Sequence, residues 1–259
     1  MSALASLAIV WSLAAIAQTA AWWWQRSHRN AGIVDVTWAA GLGAASVVIA
    51  ALGPGAIAPR IALAVLGAAW GARLALHLWS RVRHEGEDGR YAYLRGRWGD
   101  DQRRWFAFFQ FQAFLVALFA LPFAAVAANA RTVPGWIAAG VGTWLVATLG
   151  EWIADAQLAR FRADPANRGR TCRVGLWRYS RHPNYFFEWL QWFAYVFLAV
   201  GSPLAWMAWS GPLLMYVFLR WLSGIPFTEA QALRTRGEDY RAYQRSTPML
   251  FPWFPRRER

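Results

Sequence analysis

The chain has one cysteine, no lysine and few acidic residues, and these shortages exclude several kinds of site. Cys172 is alone, so neither a disulfide framework nor a cysteine metal cluster can form within one chain. The four histidines show no HxxxH and no Cys/His spacing of the kind that binds zinc, and we therefore predict no metal site. Gly140 and Gly142 lie inside an apolar run and precede no strand, so they do not form a Rossmann fingerprint.

Apolar residues dominate instead. The composition is 57% hydrophobic and only 16% charged, which is more apolar surface than a soluble domain of this length can bury. Apolar runs near the ~20 residues that cross a bilayer recur along the chain. The sequence therefore predicts an all-α polytopic membrane protein of about seven transmembrane helices, with spans near 3–24, 33–53, 61–79, 105–128, 135–157, 184–200 and 205–222.

Arginine placement predicts the topology. All 27 basic residues are arginine, and the net charge is +13. The first loop contains Arg26 and Arg29, and loops 80–104 and 158–183 are rich in arginine. The loops that alternate with these three hold one arginine or none. Because arginine-rich short loops stay in the cytoplasm, we expect the N-terminus outside and the tail 223–259 inside. No linker divides the chain, so a single domain over 1–259 is predicted. The positive charge follows the membrane, and no nucleic-acid partner is expected.

Polar residues inside the predicted spans gather at the expected cytoplasmic ends. Ionisable groups are costly in hydrocarbon, which makes these residues candidates for a site. All but Asp35 form pairs four residues apart, which places both members of a pair on one helix face: Arg73 with His77, Glu151 with Asp155, and Asn184 with Glu188. The set is Asp35, Arg73, His77, Glu151, Asp155, Asn184 and Glu188. We expect a pocket open to the cytoplasm, and the lack of polar groups deeper in the spans argues against a transport path.

The most informative stretch is GLWRYSRHPNYFFEW at 175–189, preceded by EWIADAQ at 151–157. Together these segments resemble the C-terminal region of the steroid 5α-reductase family, particularly its bacterial members. The likeness covers roughly 60–259 and includes the EDY sequence at 238–240. It implies an enzyme of the bacterial inner membrane that uses NADPH to saturate the C4–C5 double bond of a Δ4-3-keto steroid or a similar lipophilic enone.

The resemblance also implies which residues bind NADPH. Asn184 and Glu188 match the residues that hold the nicotinamide end, and arginines suit bidentate contacts to the phosphates. The full set of predicted cofactor residues is Arg73, Glu151, Asp155, Arg162, Arg170, Arg178, Tyr179, Arg181, His182, Asn184, Glu188 and Tyr240. Segments 86–104 and 229–245 are predicted to be short interfacial helices over the pocket, with solvated loops as the alternative.

The N-terminal half departs from the animal enzymes of the family. Those carry a Gln-Glu doublet at the start of the second span and a tyrosine in the third, whereas this chain has Val34 and Asp35 and no tyrosine there. We predict Asp35 as the donor that stabilises the substrate carbonyl oxygen, kept protonated by apolar surroundings, with His77 as the second candidate.

Two other functions remain open. An isoprenylcysteine-type membrane methyltransferase shares the RHPNY motif but uses S-adenosylmethionine, whose lack of phosphates leaves the arginines unexplained. A non-enzymatic sterol-binding or transport protein needs no nucleotide site. For the reductase, we expect a monomer that takes its substrate laterally from the membrane lipid.

Overall fold

A computed structural model describes residues 1–256, and all regular structure in that range is helical. The α-helices are α1 Ala3–His28, α2 Ile33–Leu52, α3 Ile57–His84, α4 Gly89–Trp98, α5 Gln102–Phe119, α6 Leu121–Ala127, α7 Pro134–Ala163, α8 Pro183–Gln191, α9 Phe193–Leu198, α10 Ala205–Ala208, α11 Ser210–Val217, α12 Ile225–Arg236 and α13 Glu238–Ser246. The all-α prediction is confirmed for these residues. The last three residues of the predicted tail lie outside them.

Five segments are long and apolar enough to cross a membrane. They are Ala3–His28, Ile33–Leu52, Ile57–His84, Gln102–Ala127 and Pro134–Ala163. The first five predicted spans are therefore confirmed as helices of spanning length, although α3 and α7 extend several residues further than the apolar pattern indicated. The chain is a helical membrane protein.

The sixth and seventh predicted spans are shorter and interrupted. Segment 184–200 is divided into α8 and α9 at Trp192, which keeps right-handed helical angles. Segment 205–222 consists of α10, α11 and a π-helical turn at Phe218–Leu222. Pro212 lies early in α11, where it supplies no backbone donor, and its carbonyl accepts a hydrogen bond from the Trp189 indole at 3.0 Å. A count of seven spans stays a prediction.

The sides on which the termini lie also stay a prediction, and fusions test it. A reporter joined after Arg259 should be active only in the cytoplasm, and one joined ahead of Met1 only outside, because the arginine-rich loops stay inside. Activity of the N-terminal fusion in the cytoplasm would contradict the predicted topology.

Contacts group the chain into two units, each made of two separate stretches. The first unit contains Met1–Ala139 and Tyr195–Gly211, and the second contains Gly140–Ala194 and Pro212–Arg259. The sequence predicts one continuous domain without a linker, and the boundary between the units at 139/140 falls inside α7.

Helices α2 and α3 of the first unit pack through glycines. A Cβ atom on Gly71 would lie 2.6 Å from the Cα of Gly43, and one on Gly67 would overlap the Ser46 side chain. Small residues allow helix backbones to approach closely in a membrane. This close contact holds the start of α2, which carries Asp35, against the end of α3.

In the second unit, the C-terminal segment lies along the 175–182 loop. Arg181 N–H donates to the Pro248 carbonyl at 2.9 Å, and Trp253 N–H donates to the Tyr179 carbonyl at 2.9 Å. The Tyr243 hydroxyl donates to the carbonyls of Trp177 and Ser180. The tail therefore fixes the conformation of the loop that carries the RHPNY motif.

Candidate functional sites

Asp35 lies in the first turn of α2 and accepts hydrogen bonds from two residues of α4. The Tyr91 hydroxyl donates to Asp35 Oδ1 at 2.7 Å, and the Arg90 guanidinium donates to Oδ2 at 3.1 Å. Tyr91 is only 4% exposed. Segment 86–104 is thus confirmed to contain a short helix, and that helix brings a phenol and a guanidinium to the predicted catalytic acid.

Helix α4 is fixed by its own charged residues. Asp88 caps the helix by accepting from Arg90 N–H, and its carboxylate also binds the Arg90 side chain at 3.0 Å. Burial raises the pKa of Asp88, but these hydrogen bonds outweigh it and leave the pKa below its ordinary value. Glu87 accepts from Ala31 N–H at 2.8 Å and pairs with Arg95 at 2.7 Å, which ties α4 to the start of α2.

The Tyr91 hydroxyl stays protonated over an unusually wide pH range. Burial raises its pKa well above the ordinary value, and the nearby carboxyl of Asp35 raises it further. Tyr91 is therefore a hydrogen-bond donor throughout the physiological range. An open cleft with an empty volume of about 330 Å³ is lined by Asp35, to which Tyr91 donates, and by Arg90, among other residues, whereas Tyr91 itself is not part of the lining.

The other two candidates of the first unit lie on α3. Like Tyr91, His77 is not among the residues that line the cleft beside Asp35, but His77 is exposed and, of the two, only Tyr91 hydrogen-bonds Asp35. Arg73 is half-buried. The structure therefore adds Tyr91 as a donor next to Asp35, whereas it places no such group at His77.

In the second unit, α7 and α8 bring predicted cofactor residues together. The Asn184 amide donates to Asp155 Oδ1 at 3.1 Å. Glu151 and Glu188 lie one helical turn further along the same faces of α7 and α8, so the four side chains form facing rows. The structure therefore brings Asp155 and Asn184 together, and a shared pocket for the four residues stays a prediction.

Four arginines line a cleft of the second unit with an empty volume of about 430 Å³. The lining contains Arg162, Arg168, Arg170 and Arg236 and no carboxylate. Gly169 has a positive φ of 79°, and the resulting turn places Arg168 and Arg170 around one bend. Cys172 also lines the cleft, and burial raises the pKa of its thiol. Four guanidinium groups in a lining without a carboxylate give this cleft a chemistry suited to an anion.

Three other predicted cofactor residues converge on one carboxylate, Glu229 of α12. Arg181 binds it at 2.7 Å, His182 Nε2 lies 3.2 Å away, and the Tyr240 hydroxyl donates to it at 3.3 Å. Gln244 donates to its other oxygen at 2.9 Å. Arg181 Nη1 also donates to the carbonyls of Gln244 and Thr247. These contacts hold the tail against the RHPNY loop.

Charge stabilises this Glu229 cluster. Burial raises the pKa of Glu229, but His182 and Arg181 outweigh it and lower the pKa to about 2. Burial lowers the pKa of His182, which keeps the imidazole neutral. Arg178 and Tyr179, by contrast, are exposed, and Tyr179 packs edge-on against Phe254.

Sequence reasoning missed several of these residues. Tyr91 and Arg90 belong to a segment interpreted only as an interfacial helix, and Arg236 and Glu229 lie in the tail far from the motif. Glu229 carried a usable signal, because it is the one acid between Glu188 and Glu238 in an arginine-rich stretch.

The fold and the two polar sites define a polytopic helical membrane protein with a buried phenol and carboxyl pair in one unit and an arginine cleft in the other. The chain belongs to DUF1295, a family described as proteins of unknown function, whose model matches residues 21–247. No curated protein and no solved structure matches the chain.

Proposed function

We propose that the protein catalyses NADPH-dependent reduction of the C4–C5 double bond of Δ4-3-keto steroids or similar lipophilic enones, by hydride transfer to the enone β-carbon. The observation that carries this proposal is the arginine cleft. The resemblance of segments 151–157 and 175–189 to the steroid 5α-reductase family supports it. When bound, NADPH supplies the hydride.

The composition of the cleft fits a phosphorylated nucleotide. Arginine binds phosphate bidentately, and four guanidinium groups without a lining carboxylate suit a ligand with several negative charges. S-adenosylmethionine carries no phosphate and has a sulfonium cation, so the cleft argues against the methyltransferase alternative. A sterol carrier would need no such cleft.

The nearby rows on α7 and α8 fit the other end of the same ligand. Asn184 and Asp155 form a hydrogen-bonded pair, and Glu188 follows one turn after Asn184. Amide and carboxyl groups in this arrangement provide both a donor and acceptors for a carboxamide. We propose that they orient the nicotinamide, while the Glu229 cluster holds the loop that leads into α8 and therefore fixes the start of the helix that carries Asn184.

Reduction of an enone builds negative charge on its carbonyl oxygen, which requires a hydrogen-bond donor. We propose that, when substrate binds, the Tyr91 O–H turns from Asp35 Oδ1 to this oxygen, and that the Asp35 carboxyl, protonated as the sequence predicts, then donates to the Tyr91 oxygen and positions it. The short hydrogen bond between them and the burial of Tyr91 support these roles.

The arginine cleft gives the direct test of the cofactor. Arg168→Ala and Arg236→Ala should each raise the Kd for NADPH about 10-fold or more, the loss expected for one charge-assisted contact. Binding of NADH should change much less, because it lacks the 2′-phosphate. Isothermal titration of the purified protein measures both constants.

Arg245→Ala is the matched control, since Arg245 is exposed and lies outside the cleft. It should leave both constants unchanged. Equal losses of affinity for NADPH and NADH in the cleft variants would show that the cleft does not bind the 2′-phosphate. Stabilisation of the wild type by S-adenosylmethionine and not by NADPH would overturn the proposal.

A further inference from the structure

A polar stripe continues along α7 beyond the proposed cofactor residues. Trp144 and Thr148 precede Glu151 and Asp155 at helical spacings of three and four, so all four share one face. Thr148 lies at the middle of this spanning helix. The Trp144 Nε1 and Thr148 Oγ1 atoms are buried without a hydrogen-bond partner.

Helix α8 carries a matching group opposite Thr148. The contacts of Asp155 with Asn184 and of Gly150 with Phe187 show that α7 and α8 run antiparallel. Thr148 lies seven residues before Asp155, and Gln191 lies seven residues after Asn184. Two helical turns restore the same face, so Gln191 lies opposite Thr148 at the same level. Gln191 is 1% exposed, and its Oε1 atom has no partner.

These three atoms have complementary hydrogen-bonding capacities. The indole N–H of Trp144 only donates, the Gln191 carbonyl oxygen only accepts, and the Thr148 hydroxyl does both. A buried polar group without a partner is destabilising, and the hydrocarbon around a span supplies no partner. None of the three carries a charge. Their partner is therefore a neutral group that both donates and accepts, which describes an alcohol.

We propose that Trp144, Thr148 and Gln191 bind a hydroxyl group of the substrate, so that the preferred substrates are hydroxylated lipophilic enones. This inference rests on the proposed function. Gln191 lies one turn beyond Glu188 and Trp144 two turns beyond Glu151. At a rise of 1.5 Å per residue, these offsets place the substrate hydroxyl about 5–10 Å from the level of Glu151 and Glu188, where we propose the nicotinamide binds.

The experiment compares a Δ4-3-keto steroid that carries a ring hydroxyl with its deoxy analogue. For the purified wild type with NADPH, kcat/KM should be at least about 10-fold higher for the hydroxylated steroid, because a site built to hydrogen-bond an alcohol rejects an analogue that lacks it. Gln191→Leu and Thr148→Val should each bring this ratio close to one. Gln110→Leu removes a glutamine that binds Thr19 and Ala15 in the first unit, and should leave the ratio unchanged.

A second measurement separates this inference from the proposed reaction. A ligand that binds the folded protein raises its apparent Tm, so the hydroxylated steroid should raise the Tm more than the deoxy analogue even without turnover. Discrimination in Tm without reduction of either steroid would support the hydroxyl site and overturn the reaction. Reduction of both steroids at equal kcat/KM would overturn the hydroxyl site. So would a wild-type preference for the hydroxylated steroid that neither Gln191→Leu nor Thr148→Val lowers. In either case the polar stripe would hold ordered water only.

Discussion

Tyr91→Phe should lower the turnover of a Δ4-3-keto steroid by ~100-fold or more, the scale of losing one donor to a developing oxyanion. The substitution removes only the hydroxyl that lies 2.7 Å from Asp35 and keeps the ring that packs against Phe108. The Kd for NADPH should stay nearly unchanged. Single-turnover kinetics with NADPH, together with equilibrium titration of the cofactor, measure the two quantities.

Asp35 variants separate donation from positioning. Asp35→Asn keeps the shape and an amide that can hydrogen-bond Tyr91, so turnover should fall moderately. Asp35→Leu leaves Tyr91 without its partner, although Arg90 keeps Asp88, and should approach the loss seen for Tyr91→Phe. If Tyr91→Phe is fully active while Asp35→Leu is inactive, Asp35 itself is the donor, as the sequence predicts. If both are fully active, neither residue stabilises the carbonyl oxygen.

Tyr93→Phe is the matched control for Tyr91→Phe. Tyr93 lies on the same helix, is 61% exposed, and contacts only Arg97 through its hydroxyl at 3.5 Å. We expect normal turnover from this variant. A loss comparable to that of Tyr91→Phe would indicate that any change in α4 disturbs the site.

Glu229→Ala should destabilise the protein by about 3–5 kcal/mol, because it leaves Arg181 and His182 buried without their shared carboxylate. Glu229→Gln keeps an acceptor but not the charge, and should cost less. Unfolding in mixed micelles, followed by far-UV circular dichroism, measures the difference. Glu238→Ala is the control, because its carboxylate is exposed and pairs only with exposed arginines. Equal stability of the Glu229 and Glu238 variants would contradict a structural role for the cluster.

The same cluster sets a direction for the pH dependence of stability. The pKa values of Glu229 and His182 both lie below their ordinary values, so the unfolded chain binds more protons than the folded protein. Stability should fall as the pH decreases below about 6.5, where unfolded histidine protonates, and fall again between about 4.5 and 2 as Glu229 protonates. His182→Gln should remove the first decrease and leave the second.

Local signals in the sequence predicted the spanning helices well, because hydrophobicity over about 20 residues depends on no distant contact. They also placed Asp155 and Asn184 in one pocket, where the structure shows a hydrogen bond. Segment 205–222 passed the same test of hydrophobicity, yet Pro212 and the π-helical turn divide it into short pieces. Composition alone did not reveal that interruption.

Residues that join a site through tertiary contacts were harder to predict. Tyr91 is 56 positions from Asp35, and α4 carries it there although α4 crosses no membrane. The expected lack of polar groups deeper in the spans is wrong for Thr148, which lies at the middle of α7. Gln191, at the end of α8, was missed for the same reason, because neither side chain is ionisable. The motif predicts Arg181 as a phosphate ligand. In the structure, its guanidinium binds Glu229 and two backbone carbonyls. Its role in NADPH binding stays a prediction.

The glycine contact between α2 and α3 has a consequence for biosynthesis. Gly43, Gly67 and Gly71 belong to neighbouring helices, so their packing needs no segment that is translated later. Contacts between residues close in the chain form at the smallest loss of chain entropy. We expect this hairpin to assemble in the bilayer while α5 is still in the ribosome, and to present Asp35 in place before the residues that complete its site emerge.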